Sequence, residues 1–388
     1  MKKILAPLPY ENWGGLHTMI SSTHYGLQKK GFSLIPVIPP DAKAVIKRFN
    51  SQKIFSCKKD LSRIRKSWNL FLHFRFLIGI FIDINELGKI IKTKKIDIIQ
   101  VSGLQNFHFA IAAKIFKCSL VWQIHSDALP YILRSMLLPI AKLLSNNIMV
   151  NGKEIKKKFK GLKSYPTKKI FYFYPGINTK DYLFTNFQIK KAKKLLSIKK
   201  NDIVIGTIGN QGYAKRHDRI IAVIKKLKLQ KNLRFIILGG TLKSNQAYYK
   251  KEVLDVAENL GFLKSKKLQI INPKDKVLNY LPAFNIFILT SEYEGLPISL
   301  IEAMSSGLPV ITTDAGSIKS AIQNNKGGFV VSATKFNLNL FSRLLINLAK
   351  NTKKRKIYGS KNKLIVKKRY TLKRLIETHI NSYKNALK

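Results

Sequence analysis

Residues 291–310 read Ser291-Glu292-Tyr293-Glu294-Gly295-Leu296-Pro297-Ile298-Ser299-Leu300-Ile301-Glu302-Ala303-Met304-Ser305-Ser306-Gly307-Leu308-Pro309-Val310. Pro297 suits the first position of a helix, where a missing N–H costs nothing, and Gly307 suits the position just past its end. Glu294 then falls in the loop leading in, and Glu302 on the helix body. The first-turn amides of such a helix lack internal partners and its dipole adds partial positive charge, so the segment can receive an anion. Two carboxylates beside an anion would repel it. They read instead as acceptors for hydroxyl groups on the same ligand. A ligand with phosphates in the middle and hydroxyls at both ends is a nucleotide sugar.

The stretch lies between two strand candidates, 286–290 and 309–313, and the same alternation runs outward in both directions. Short β-branched runs at 3–6, 32–38, 96–101, 120–124, 147–150 and 170–174 alternate with helix-length amphipathic segments. The series starts again at 202–208, 233–238 and 268–271, and ends with 329–331. This pattern predicts parallel sheets with helices on both faces, an α/β class. A chain of 388 residues exceeds one ordinary core and divides into two domains of roughly 150 to 200 residues. The charged stretch 178–200, without a strong period, is the candidate linker. Helices are expected at 337–351, 353–368 and 372–387, the last ones long enough to pack across both domains.

The net charge is +51, from 71 Lys and Arg against 20 Asp and Glu. It predicts attraction to something anionic: nucleic acid, anionic lipid or a phosphorylated small molecule. Abundant Lys, Ile and Asn also fit the composition of an AT-rich genome. Cys57 and Cys118 have no paired spacing and no neighbouring metal ligands, so both read as reduced packing residues, which favours the cytosol. Pro7 and Pro9 interrupt any apolar run that a signal peptide would need. The longest apolar run, 76–82, falls far short of the roughly 20 residues that span a bilayer. Two segments, 68–84 with Phe71, Phe74, Arg75, Phe76 and Phe81, and 130–144 with Arg134 and Lys142, carry apolar residues with embedded cations. Each reads either as a core-facing helix or as a cationic stripe lying in a membrane interface.

Three further places carry chemistry. The first strand is followed by Trp13-Gly14-Gly15 and a helix; paired glycines at such a turn allow close backbone approach to a phosphate or sugar, and equally serve a plain turn. Strand 202–208 opens into Gly209-Asn210-Gln211-Gly212-Tyr213-Ala214-Lys215-Arg216. Lys215 and Arg216 thus stand beyond a strand's carboxyl end, where open α/β sheets bind ligands, and can neutralise a diphosphate. His125 follows strand 120–124 in the same way, with Asp127 close behind. It is a candidate to touch a sugar hydroxyl or to respond to developing charge. Glu302 sits among Leu300, Ile301, Ala303 and Met304, where a carboxylate risks desolvation. A ribose diol would satisfy it.

Taken together, these pieces resemble the family-4 retaining glycosyltransferases of the GT-B fold, a group that builds lipopolysaccharide, capsule, exopolysaccharide and glycolipid. The resemblance is most specific from Glu294-Gly295-Leu296-Pro297 through Glu302 to Gly307-Leu308-Pro309-Val310. It implies two Rossmann-like α/β/α domains facing across a cleft. Residues 1–180 would form the acceptor-side domain, 181–370 the nucleotide-sugar domain, and 371–388 a helix returning toward the first. Glu294 is expected to hold hydroxyls of the donor sugar and Glu302 the ribose. Amides in the stretch from Gly295 to Ile298, where Pro297 itself has no N–H to give, form the expected diphosphate loop, with the Lys215 side chain beside it and Gly209 in the donor turn. Gly14 and Gly15 match a glycine loop facing the donor phosphates, and His125 a histidine beside the transferred sugar. The pattern departs at Asn210, where the family commonly has an arginine, so Arg216 is expected to substitute. Ser317-Ile318-Lys319-Ser320 replaces a frequent glycine-and-acid pattern.

The implied activity is retaining transfer of a hexose or N-acetylhexosamine, with Glu294, His125 and Lys215 as the catalytic set. The donor would be UDP- or GDP-linked, the acceptor lipid-linked or a glycan, and the reaction metal-independent, with no cofactor. No residue stands out as a covalent nucleophile, so a front-face route is expected, in which the leaving phosphate helps deprotonate the acceptor. The expected location is cytoplasmic, peripheral on the inner face of the cytoplasmic membrane, with an anionic membrane surface as partner and no nucleic acid. Two alternatives remain open. A sugar-nucleotide epimerase of similar architecture would need no acceptor; a basic nucleic-acid-binding protein would leave Glu294 and Glu302 unexplained.

Overall fold

In the computed structural model, which describes residues 1–62, 70–127, 129–241, 245–273, 277–323 and 326–388, the β-branched runs of the first half pair in parallel into one sheet. Its strands are β1 (Lys2–Pro7), β2 (Phe32–Ile38), β3 (Cys57–Lys58), β4 (Ile98–Ser102), β5 (Ser119–Ile124), β6 (Asn147–Asn151) and β7 (Ile170–Phe173). Their order is β3-β2-β1-β4-β5-β6-β7. Helices α1 (Gly15–Gln28), α2 (Lys43–Ser51), α3 (Leu70–Lys94), α4 (Phe107–Ile115), α5 (Tyr131–Leu144) and α6 (Lys153–Lys157) connect them. Successive residues of a strand point to opposite faces, so each face builds its own core. Trp122 joins Leu87, Phe109, Leu138 and Phe159 on one side. Val121 joins Met19, Phe49 and Leu375 on the other.

The second half repeats the arrangement with β8 (Ile203–Ile208), β9 (Leu233–Leu238), β10 (Leu268–Ile271), β11 (Ile286–Leu289), β12 (Val310–Thr313) and β13 (Gly328–Val331). These pair in parallel in the order β10-β9-β8-β11-β12-β13. Helices here are α7 (Asn186–Leu195), α8 (His217–Lys226), α9 (Gln246–Tyr249), α10 (Asp255–Asn259), α11 (Ile298–Ser305), α12 (Ile318–Ala321), α13 (Leu338–Lys350) and α14 (Thr352–Arg369). The final helix, α15 (Leu372–Ala386), belongs to the first body. The chain thus divides into one unit of Met1–Gly176 with Leu372–Lys388 and a second of Ile177–Thr371.

In the first unit, α15 is held to the sheet by buried polar contacts. Tyr383 donates to Gln100 Oε1 (2.5 Å), Ser382 donates to Asn147 Oδ1 (2.7 Å), and the rings and amides of His379 and Gln123 meet at 3.1 Å. Each pairing satisfies a group whose burial alone would cost stability.

Chain order reverses between β8 and β11, and between β1 and β4. Such switch points open a crevice beyond the carboxyl ends of the strands, because the connections on either side leave in opposite directions. Residues 209–216 follow β8 and residues 290–297 follow β11, so both expected donor segments leave the second sheet at its switch point.

Two expectations need correction. The stretch 178–200 is not a linker: it lies inside the second unit and contains α7, opened by a capping box between Thr185 and Gln188. Pro297 is not the first helical residue. Its ψ of 132° is extended, so it stands just before α11, which begins at Ile298. The two-residue β3 was not foreseen. Gly307 does lie just past the helix, with φ +78, the left-handed conformation that favours glycine. Trp68, together with the side chains of Phe71 and Arg75, lies outside the described residues.

Candidate active site

At the switch point of the second unit, the turn after β8 is tied to the turn after β9. Gln211 donates to the Gly239 carbonyl (2.9 Å), and Thr241 donates to Gln211 Oε1 (2.5 Å). Gly209 has no side chain, and the aliphatic stem of Lys215 runs across it: a methyl group there would lie 3.1 Å from Lys215 Cε. Lys215 therefore reaches toward β11. Its ammonium meets Glu294 Oε1 at 2.5 Å, and the Ser291 hydroxyl donates to the same oxygen at 2.7 Å. Both partners are mostly shielded, with side-chain exposures of 22% and 10%. Shielding strengthens such a charge-assisted pair.

A second set of contacts clamps the two loops together. Thr290 donates to the carbonyls of Lys215 (3.1 Å) and Arg216 (2.9 Å), and the Glu292 amide donates to the Ala214 carbonyl (2.8 Å). Arg216 adopts φ 49, ψ 50, a left-handed conformation uncommon for a residue with a side chain. It is held there by carboxylates on two sides: Asp218 at 2.9 Å and Glu292 at 2.6 Å. Tyr248 also donates to Asp218 (2.7 Å). Arg216, expected to replace a phosphate arginine, is thus directed at Asp218 and Glu292, and its charge is already matched by two carboxylates. Lys215 is the cation that faces Glu294.

After Glu294 the backbone approaches a neighbouring loop closely. Gly316, at φ +60, lies where an added methyl would come within 2.2 Å of the Gly295 carbonyl and 2.4 Å of the Glu294 carbonyl. The Ser317 amide donates to that Gly295 oxygen at 2.8 Å. Leu296 and Pro297 are buried, while Gly295 and Ile298 are half-buried. No side chain caps α11 at Pro297, and no acidic residue stands in its first turn. Its leading amides and positive dipole end are left without a carboxylate, which suits an anion.

Glu302 lies farther along α11 and accepts a hydrogen bond from the Tyr182 hydroxyl at 2.8 Å. Burial first, and then the charge of Glu302, raise the pKa of Tyr182 above its usual value. The phenol stays protonated, so it acts toward Glu302 only as a donor. Sequence reading missed Tyr182, Ser291 as a partner of Glu294, and the Asp218–Glu292 clamp.

The other expected residues lie in the first unit. Gly14 precedes α1 in extended conformation and Gly15 opens the helix; the Gly14 amide donates to His17 Nδ1 (3.2 Å). Beside them the Arg48 guanidinium stacks 4.0 Å over Trp13. His125 follows β5, edge-on to Phe173 with ring centroids 5.2 Å apart. Burial, then the nearby His379, lower its pKa to about 3. Its imidazole is neutral near pH 7 and can exchange a hydrogen bond but carries no charge. Asp127 does not orient it; that carboxylate pairs with Lys158 at 2.7 Å.

Residues 188–364 match the sequence model of the family described as Glycosyl transferases group 1. Among curated proteins, the chain is 26% identical over 164 residues to the Escherichia coli UDP-Gal:alpha-D-GlcNAc-diphosphoundecaprenol alpha-1,3-galactosyltransferase, a match covering 41% of this chain and 38% of the relative. It is 30% identical over 151 residues to the Salmonella typhi Vi polysaccharide biosynthesis protein VipC/TviE, covering 38% of this chain and 25% of that one. The chain thus spans well under half the length of these relatives. Among solved structures, Anabaena Alr3699/HepE in complex with UDP-glucose superposes with a TM-score of 0.82 at 16% identity, covering 99% of this chain and 100% of that one. A glycosyltransferase from Rickettsia africae ESF-5 gives 0.78 at 19% identity, covering 100% and 99%. At these identities the superpositions establish the fold. Residues 188–364 thus resemble the glycosyl transferases group 1 family, and the chain has the GT-B fold.

Proposed function

We propose that the chain is a retaining glycosyltransferase. It would move a hexose or N-acetylhexosamine from a nucleotide-diphosphate sugar to a lipid-linked or polysaccharide acceptor in cell-surface glycan synthesis. The observation that carries this reading is the Lys215–Glu294 pair at the switch point, beside the uncapped start of α11. It sets one cation, one hydroxyl acceptor and a row of free amides next to each other, the three groups that a sugar diphosphate needs. The Escherichia coli relative named for a UDP-Gal donor and the UDP-glucose complex of Anabaena Alr3699/HepE support a UDP-linked donor as the first to try, with a GDP-linked one second.

In this reading Lys215 and the amides of Gly295, Leu296 and Ile298 stabilise charge on the departing diphosphate, where preorganised donors are worth most. Glu294 accepts from hydroxyls of the transferred sugar, and Glu302, steadied by Tyr182, accepts from the ribose. Arg216 supports Lys215 by locking the loops rather than by touching phosphate. Gly14, Gly15 and His125, all in the first unit, keep the roles that the family resemblance implies for them, the imidazole as a neutral hydrogen-bonding group. The bond from the anomeric carbon to phosphate breaks as the bond to the acceptor oxygen forms on the same face. The acceptor proton passes to a phosphate oxygen. The proposal includes no metal.

The test incubates the full chain with UDP-glucose, UDP-galactose, UDP-N-acetylglucosamine and GDP-mannose, each with and without lipid-linked glycan acceptors. Products are identified by mass and their anomeric configuration by NMR. Acceptor-dependent transfer with retention supports the reading. Conversion of the donor to an epimer without any acceptor would replace it with the epimerase alternative.

A further inference from the structure

Helix α3 buries Phe76, Leu87 and Ile91 and is apolar on its outer face as well. Phe74, Leu77, Ile78, Phe81 and Ile82 recur at three- and four-residue spacing and face solvent, Phe81 with 76% of its surface exposed. The inward stripe also contains a carboxylate, Asp83, which is buried, accepts from the Ser62 amide (2.8 Å) and stands 3.2 Å from the buried His108 ring. These partners lock the helix in that rotation. Helix α5 shows the same outward greasiness: Ile132, Met136 and Leu143 follow one stripe, exposed by 71%, 64% and 81%, while Leu138 and Ala141 fill the core behind. A helix apolar on both faces has two surfaces to bury, and here only one is covered.

Both helices belong to one layer. Leu87 of α3, Phe109 of α4 and Leu138 of α5 pack into the same core on one face of the first sheet, so their outer stripes look away from the sheet on the same side. Segment 153–169 joins that layer through Ile155, Phe159 and Leu162. It carries eight lysines against one acidic residue, Glu154. Lys142 of α5 donates to Ser164 (2.9 Å) and Arg134 donates to the Lys158 carbonyl (3.4 Å), which places the lysine-rich segment directly beside α5.

We propose that this outer face of the α3–α4–α5 layer docks on an anionic lipid bilayer, with the apolar stripes entering the interface and the lysines of 153–169 meeting the headgroups. Charge selects the occupant. A second copy of the chain seated on the same face would bring two lysine-rich segments against each other, whereas an anionic bilayer supplies both the apolar medium and the opposite charge. The inference concerns the first unit's surface and does not depend on donor chemistry in the second.

The experiment is flotation of the full chain with vesicles of pure phosphatidylcholine or of phosphatidylcholine with phosphatidylglycerol, at low and high salt. Binding is expected to be at least about tenfold stronger to anionic vesicles and to weaken as salt rises. The combined variant Phe81→Gln, Ile82→Gln, Met136→Gln, Leu143→Gln should lose about tenfold of that binding with unchanged Tm. Lys156→Gln with Lys160→Gln and Lys163→Gln should flatten the salt dependence. Three results would overturn the proposal: anionic binding indifferent to the apolar variant, equal binding to neutral vesicles, or no vesicle binding together with a dimer that the apolar variant dissociates. UDP titration of the same variants should be unchanged, so failure here is distinguishable from failure of the glycosyltransferase reading.

Discussion

Lys215 Nζ and Glu294 Oε1 lie 2.5 Å apart. The cation assigned to the diphosphate and the carboxylate assigned to the sugar are each other's partners. Under the proposed function, a sugar diphosphate would exchange this pair for two new ones, Lys215 with phosphate and Glu294 with hydroxyls.

The exchange predicts opposite effects on binding and transfer. Glu294→Gln removes the competing charge, so affinity for UDP alone should rise several-fold, a gain on the order of 1 kcal/mol for a part-shielded pair. Transfer should fall by about a hundredfold or more, because the sugar loses its charged acceptor. Calorimetric titration with UDP and steady-state kinetics measure the two separately. A fall in both would mean that Glu294 does not restrain Lys215.

Tyr182→Phe tests the ribose side. The phenol donates to Glu302 at 2.8 Å, and losing a hydrogen bond to a charged group costs roughly 1.5 to 3 kcal/mol. KM for the donor should rise about tenfold or more with kcat little changed, since the ribose stays bound throughout. An equal fall in kcat would move Glu302 to the reacting centre.

Gly316→Ala should distort the loop that carries Glu294. The added methyl would meet two carbonyl oxygens at 2.2 and 2.4 Å, at a backbone φ of +60. Strain of this kind costs on the order of 1–3 kcal/mol. Thermal unfolding should show a lowered Tm and the donor assay a lowered kcat. An unchanged Tm would show that the loop is free to move away.

Acidification should weaken the first unit more than the second. Burial lowers His17 and His379 to about 4, and lowers His125 to about 3 and His24 in the same direction, with Arg48 adding to the effect at His17 and His379 at His125. In the second unit, His217 is lowered to about 3 by burial and then by Lys215. Below the ordinary value near 6.5 the unfolded chain takes up these protons first. Stability is therefore full above about pH 6.5 and is lost as pH falls toward 4, at about 1.4 kcal/mol per pH unit for each of His17, His125, His217 and His379, with His24 acting in the same direction. Calorimetry between pH 7.5 and 5 should show the transition of the first unit falling faster.

Particular elements explain what was legible in the sequence. Runs such as 233–238 declared themselves as strands because a strand buried on both faces is almost wholly apolar, and Gly307 marked a helix end. The two-residue β3 is too short to have a period. The Thr185–Gln188 capping box was present in the sequence, yet the surrounding lysines of α7 hid it and the segment read as a linker. At the candidate site, position after β8 and β11 singled out Lys215 and Glu294, but their pairing across 79 residues left no local trace. Tyr182 and Glu302, 120 residues apart, left none either. Arg216 was singled out by the same position, and only the fold reveals the two carboxylates that pair with it.

The central claim is that the second unit binds a nucleoside diphosphate through Lys215. Calorimetric titration of UDP and GDP into the full chain and into Lys215→Ala tests it most directly. The account predicts binding of one of the two diphosphates by the unaltered chain and a loss of about tenfold or more in the variant. Equal affinity in both proteins, or no binding of either nucleotide to the unaltered chain, would contradict it.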